Sequence, residues 1–272
     1  MTNYKLHALS VGRISGPKKL VTHLVDDDIL CTSEMYIWYL EGGDKKIIVD
    51  AGVMDADEKG TYNGYPMTNC GPSAVVKALA SVGQKPEDID IVILSHLHFD
   101  HAWNIDLFPD AQMVLMKAEY EGIKKMLPFE RLLYMANPLE FLTKLEAMNL
   151  VLVEDGYEVA DGVKLLHCPG HSSGTACTVV STTAGPHVIC SDLFYNAVNI
   201  YPWLDKMNVA GGGQVPVTPL PGFPFYPMGS HIDLTDWYNS CWKVLAAAKG
   251  KREHLLAGHE PSYAGNVYPL KK

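Results

Sequence analysis

The feature that most constrains this chain is a short apolar run, Ile91 to Leu94, that ends directly on Ser95-His96-Leu97-His98-Phe99-Asp100-His101. A brief run of branched aliphatic residues bounded by polar ones marks a strand buried on both faces. Three imidazoles and one carboxylate then fall within six residues. His96 and His98 are two apart, so they leave the strand facing the same side, and Asp100 and His101 must lie on a turn. Packing that much polarity at a strand end without a partner would be costly. Imidazole together with carboxylate suits zinc, iron or manganese. The run is read as a metal site.

Around it, strand-like runs alternate with helix-like ones. Met35 to Leu40, Glu41-Gly42-Gly43-Asp44 and Lys45 to Asp50 read as a hairpin. Gly71-Pro72-Ser73 opens an amphipathic helix through about Val82, with Ala74, Val75, Ala78 and Leu79 as its apolar stripe. Ala111 to Met116 repeats the strand pattern. Helices are expected from Lys117 to Met126 and from Phe129 to Met148, the latter broken near Pro138. A second β-rich series follows: Leu150 to Val153, Tyr157 to Val159, Val163 to His167, Thr175 to Ser181 and His187 to Cys190. A final helix, Leu234 to Ala248, precedes a last strand, His254 to Ala257. Two β-rich halves flanked by helices predict a sandwich of sheets with helices outside. The segment from Asn196 to Ser230 differs. It carries Pro202, Pro216, Pro219, Pro221, Pro224 and Pro227, the run Gly211-Gly212-Gly213, and aromatic residues such as Tyr201, Trp203 and Phe225. It reads as a long irregular loop that packs rather than one that is disordered.

Composition narrows the function classes. The net charge of -9 comes with scattered basic residues, the longest pieces being Lys18-Lys19, Lys45-Lys46 and Lys124-Lys125. With no basic stripe to neutralise phosphates, no nucleic-acid partner is expected. The six cysteines, Cys31, Cys70, Cys168, Cys177, Cys190 and Cys241, form no C-x-x-C pair. They read as buried thiols in a reducing compartment rather than as a structural zinc site. Met1 to Ser10 lacks the apolar core of a signal peptide, and no apolar run reaches membrane-spanning length. The expectation is a cytoplasmic protein acting on a small molecule. The aromatic segment either caps the pocket or meets a partner in a homodimer.

His-x-His-x-Asp-His resembles the signature of the metallo-β-lactamase superfamily, and other positions agree in order and strand context. Pro169-Gly170-His171 is similar to that family's Pro-Gly-His turn. Asp192 follows a strand, His259 stands in Ala257-Gly258-His259 near the C-terminus, and Asp50-Ala51-Gly52 follows the hairpin. The likeness runs from about Met35 to His259. It implies an α+β fold, a four-layer αββα sandwich spanning residues 1–272 as one domain, with the site at one edge of the β-sandwich. It also implies two divalent ions, zinc by expectation, with iron or manganese as alternatives. By the resemblance, His96, His98 and His171 bind one ion; Asp100, His101 and His259 bind the other; Asp192 bridges them. Asp50 would orient a ligand.

Tyr195, three residues after Asp192, resembles a tyrosine of the N-acyl homoserine lactonases, the quorum-quenching group, where it points at the lactone carbonyl. The implied reaction is opening of a lactone ring. Two metals about 3.5–4 Å apart share a hydroxide and lower the pKa of water from roughly 15.7 to roughly 7. Tyr195 steadies the oxyanion, and Asp100 or a metal-bound water returns a proton to the leaving alkoxide. No serine or cysteine nucleophile is needed, so Ser172 and Ser173 read as turn residues and Cys168 as a packed neighbour. Trp103, Thr175 and the long 196–230 segment depart from that group. They are expected near the pocket, which would move the substrate away from an acyl homoserine lactone. The runner-up is a thioester hydrolase of the glyoxalase II type, and a phosphodiesterase comes third. The first would want a basic pocket for a glutathione or CoA moiety, and no basic cluster is visible. A diiron redox protein of the same fold normally has an acidic residue where His98 stands. A non-catalytic binding protein would have lost ligands, and none is lost.

Overall fold

The computed structural model describes residues 1–128, 130 and 137–270. The first sheet is built from β1 (Lys5–Pro17), β2 (Leu30–Glu41), β3 (Ile47–Val49), β4 (Thr61–Tyr62), β5 (Tyr65–Thr68), β6 (Ile91–Leu94), β7 (Gln112–Met116) and β8 (Asn149–Val153), in the order β4-β5-β1-β2-β3-β6-β7-β8. The β2–β3 hairpin pairs as expected, with Leu40 opposite Ile47 and Trp38 opposite Val49. β1 is not anticipated by the sequence pattern, yet it pairs with β2 from Lys5 to Pro17. A bulge between Ser10 and Gly12 resets its alternation midway, which hides the period-2 signal.

From β3 to β8 the strands run parallel, and parallel neighbours need crossover connections, usually helical. α1 (Pro72–Ala80) fills one crossover, and α2 (Lys117–Ile123) and α3 (Pro138–Glu146) fill another. Of the helix expected over Phe129 to Met148, Phe129 and residues 131–136 lie outside the described residues. Pro138 starts α3 rather than breaking it. Asn137 caps the helix by accepting from the Glu140 amide, and a proline at the first helical position has no amide to lose. Leu150 to Val153 also needs correcting: β8 pairs with β7, Met113 opposite Leu150, and so belongs to the first sheet rather than the second β-rich series.

The second sheet holds β9 (Glu158–Ala160), β10 (Val163–His167), β11 (Ala176–Thr182) and β12 (Gly185–Ser191). The 196–230 segment is not irregular throughout. It contains α4 (Ala197–Ile200) and a hairpin of β13 (Lys206–Asn208) and β14 (Gln214–Pro216). α5 (Leu234–Ala247) follows, then β15 (Leu255–Ala257), which joins β12 in parallel, and β16 (Val267–Tyr268), which pairs with the start of β1.

Side-chain alternation separates the layers. Ile91 and Ile93 of β6 pack with Val163, Leu165, Val180 and Ile189 between the sheets. Val92 and Leu94 pack on the opposite face against Leu79 of α1 and Phe141 and Leu145 of α3. Val188 and Cys190 of β12 meet Trp237, Cys241 and Val244 of α5 on the far side. The order is helix, sheet, sheet, helix, the αββα sandwich the resemblance implies. All six cysteines are free; Cys168, Cys177, Cys190 and Cys241 are buried in or beside that last layer. Among the described residues no helix is long and apolar enough to cross a membrane.

One packed pair carries a pH signature. The rings of His187 and His254 stack with centroids 4.0 Å apart. Burial, followed by the neighbouring His254, lowers the His187 pKa to about 4. An unfolded imidazole titrates near ~6.5. Between those values the unfolded chain binds the extra proton, so the stability contribution present above pH ~6.5 is lost as pH falls toward 4. His187→Phe keeps a stacked ring but takes no proton. Urea unfolding from pH 7 to 4 should show a shallower loss of stability in this variant than in wild type; identical slopes would rule the pair out.

Candidate metal centre

The site is assembled at strand ends. Asp50, just past β3, adopts the left-handed region at φ 67, a strained backbone for a non-glycine residue. Its Oδ1 accepts the Ser95 amide at 2.8 Å and its Oδ2 meets His101 Nδ1 at 2.7 Å. One carboxylate thus joins the ends of two neighbouring strands and turns His101 Nε2 inward. The same device recurs. His171 Nδ1–H donates to the Ser230 carbonyl and His259 Nδ1–H to the Glu34 carbonyl, both at 2.8 Å. His96 Nδ1 lies 3.1 Å from Ser95 Oγ. His98 is turned the other way, with Nδ1 3.0 Å from His96 Nε2 and 2.9 Å from His171 Nε2.

Two groups of ligand atoms result, His96–His98–His171–Asp192 and Asp100–His101–Asp192–His259, each with its atoms within 4.8 Å of one another. Asp192 belongs to both and divides its oxygens between them. Oδ2 lies 3.7 Å from His96 Nε2 and 3.3 Å from His171 Nε2. Oδ1 lies 3.1 Å from His101 Nε2 and 3.0 Å from His259 Nε2. Asp100 Oδ2 closes the second group, 3.7 Å from His101 Nε2 and 3.5 Å from His259 Nε2.

This arrangement fits cations. Tetrahedral bonds of about 2.0 Å to imidazole would set ligand nitrogens ~3.3 Å apart; His96 Nε2 and His171 Nε2 are separated by 3.2 Å. His101 Nε2 and Asp192 Oδ1 are buried and face each other at 3.1 Å without a well-aligned hydrogen bond, a shortfall that a bound cation would remove.

The electrostatics agree. Burial, reinforced by neighbouring histidines, holds His96 and His98 well below the usual imidazole range, so both rings are neutral. Burial also acts against the charged forms of His101 and Asp192, but their mutual attraction outweighs it. His101 is raised by Asp192, Asp100 and Asp50, and Asp192 is lowered by His101 and His259. Cations entering the second group would displace protons from its imidazoles.

Tyr195 spans the two groups. Its ring meets His171 edge-on at 5.7 Å and His259 at 4.9 Å, one imidazole from each. Burial and the Asp192 charge hold the phenol well above its ordinary value, so it is a neutral donor. A cavity of about 500 Å³ shares Asp100, Tyr195 and His259 with the centre, and Ile14, Leu20, Val21, Cys31 and Phe99 line it further. Among the described residues no Lys or Arg lines it.

Two sequence expectations change here, and a third is narrowed. Trp103 is not on the cavity; it packs against the core under α1 and α3. Thr175 is not on it either, because its hydroxyl accepts the Ser172 amide inside the Pro-Gly-His turn. Of the 196–230 segment, Ser230 alone among the described lining residues reaches the cavity. Val198, Met207 and Val217 support it from behind, against Val21 and Cys31. Ser172 lies in the turn, where it is buried, and Cys168 is packed as expected; burial raises the Cys168 thiol well above its usual range, so it is no nucleophile.

One residue escapes sequence reasoning. Glu119 on α2 is fully buried, accepting from the Leu97 amide at 3.0 Å, the Ser172 hydroxyl at 2.6 Å and the Gly174 amide at 3.0 Å. It ties together the two turns that carry His96, His98 and His171. A glutamate in the first turn of a helix gives no signal of that role.

The pattern that defines the Metallo-beta-lactamase superfamily matches residues 36–256. The chain belongs to the metallo-beta-lactamase superfamily. Within that superfamily it is 29% identical over 210 residues to an N-acyl homoserine lactonase of a Bacillus species, covering 73% of this chain and 79% of the relative. The fold matches a solved N-acyl homoserine lactone hydrolase with N-hexanoyl-L-homoserine at its catalytic metal center. There the TM-score is 0.73 and the identity 24%, over 95% of this chain and 94% of that one. It also matches AidC, a dizinc quorum-quenching lactonase, with TM-score 0.65 and 18% identity, over 95% of this chain and 90% of that one.

Close packing beside Asp192 yields a test. A Cβ on Gly258 would stand 2.7 Å from Asp192 Oδ1 and 2.8 Å from the Ser191 carbonyl. Gly258→Ala should push the shared carboxylate aside and weaken metal retention by about 10- to 100-fold, the scale of losing ligand support. Metal analysis after dialysis against graded chelator reads this; retention equal to wild type would refute the placement.

Proposed function

We propose that this protein opens the ring of lactones, N-acyl homoserine lactones foremost, using two divalent cations, zinc in the first instance. His96, His98 and His171 would hold one cation and Asp100, His101 and His259 the other, with Asp192 shared between them. The observation that carries this reading is Tyr195. It stands between an imidazole of each group, with a neutral phenol, on a largely apolar cavity that contains no cationic side chain among the described residues. The relatives named N-acyl homoserine lactonase point the same way. The thioester alternative lacks the basic lining that a glutathione or CoA moiety would want. Free, buried cysteines support a cytoplasmic setting.

When bound, the cations would supply hydroxide near neutral pH and polarise the lactone carbonyl. The chain's own residues do the rest. Tyr195 donates a hydrogen bond to the carbonyl oxygen, a contact that strengthens as negative charge gathers there. Asp100, on the cavity side, holds a proton for the departing ring oxygen. The apolar wall takes the acyl chain and excludes water. Gly16 sets the width of that wall, since a Cβ there would meet Leu20 Cδ1 at 3.2 Å and Tyr65 at 3.4 Å.

Three outcomes are expected. In a panel of lactones, thioesters and phosphodiesters, metal-loaded protein should turn over lactones; thioester turnover without lactone turnover would overturn the proposal. Tyr195→Phe should lower kcat by about 10- to 1000-fold, as for loss of one oxyanion donor, with metal content unchanged. Gly16→Val should raise KM for long-chain acyl homoserine lactones more than for short-chain ones; a uniform change would remove the chain from this cavity.

A further inference from the structure

Ser230 closes the proline-rich segment and touches the centre in two ways. Its backbone carbonyl accepts from His171 Nδ1 at 2.8 Å, and its side-chain hydroxyl is hydrogen-bonded to the hydroxyl of Tyr195. The backbone around it is anchored on both sides. The Gly229 amide donates to the Leu20 carbonyl at 3.0 Å, and the Ile232 amide to the Gly170 carbonyl at 2.7 Å. A Cβ at Gly229 would stand 2.2 Å from the Lys19 carbonyl, so the chain is pressed against its neighbour there. Ser230 therefore presents its hydroxyl from a fixed position on the cavity wall.

A phenol has one proton. If Tyr195 gives it to Ser230, none is left for a substrate. When a carbonyl enters, one arrangement satisfies all three oxygens: the serine hydroxyl donates to the phenol oxygen, and the phenol donates to the carbonyl. Such a chain polarises itself, and the outer donor strengthens as charge develops at its end. The geometry points to Ser230 as a positioning residue for lactone opening, one that directs the Tyr195 proton at the substrate carbonyl. This rests on the reading of Tyr195 as the carbonyl donor.

The test is a double-mutant cycle on zinc-loaded enzyme with an N-acyl homoserine lactone, using S230A, S230T, Y195F and S230A/Y195F. S230A should lower kcat by about 3- to 10-fold, the scale of one hydrogen bond, with KM within about twofold. S230T, which keeps the hydroxyl, should recover turnover. In the Y195F background S230A should cost nothing more. NMR of protein labelled at tyrosine Cζ supplies a readout apart from activity. The resonance missing in Y195F belongs to Tyr195, and it should shift in S230A but not in S230T. An equal S230A penalty with or without Tyr195 would overturn the inference, as would an unmoved kcat and resonance in S230A. Loss of zinc in S230A would assign its effect to the His171 contact and overturn it too. Wild-type turnover in Y195F would instead sink the reading of Tyr195 itself.

Discussion

One buried carboxylate organises this molecule. Asp192 aims Oδ1 at His101 and His259 and Oδ2 at His96 and His171. Those four histidines come from the ends of both sheets, so the distance between the sheets must be right before Asp192 can serve them. The core between the sheets sets that distance, through residues such as Trp38, Ile93, Leu165 and Ile189. A carboxylate this buried is unfavourable unless it is paired, and the surrounding imidazoles are its partners. Local backbone yields to the same demand: Ser191 just before it adopts φ 46, and Gly258 beside it leaves no room for a side chain.

Behind the ligands stands a layer of fixed acceptors. Asp50, the Glu34 carbonyl and the Ser230 carbonyl each take one imidazole Nδ1. This leaves Nε2 of His101, His259 and His171 facing inward. Glu119 joins the turn after β6 to the turn after β10, as Asp192 joins the two groups of candidate ligand atoms. The labour is divided by region. Strand ends hold the centre, the far part of β1 and the 18–31 stretch wall the cavity, and the proline-rich segment props that wall from outside.

Much of this was legible in the chain. Ile91 to Leu94 reads as a doubly buried strand because it packs on both faces. His96, His98, Asp100 and His101 declare themselves by local spacing, whereas His171, Asp192, His259 and Asp50 are implied by the resemblance to the superfamily's motifs. Other parts were not legible, for physical reasons. The β1 bulge mixes two faces in one run. Trp103 and Thr175 were expected near the pocket because they lie close to ligands in sequence, but their side chains point into the core and the turn.

The sequence by itself marked His96, His98, Asp100 and His101 as metal-binding residue types at short spacing, and its resemblance to the superfamily implied the distant His171, Asp192 and His259. Tertiary structure alone decided what surrounds that chemistry. Glu34 reaches His259 across 225 positions, and Ser230 reaches Tyr195 across 35. Contacts of that kind come from the stacking of two sheets and the folding back of a loop, and no periodicity in the chain records them.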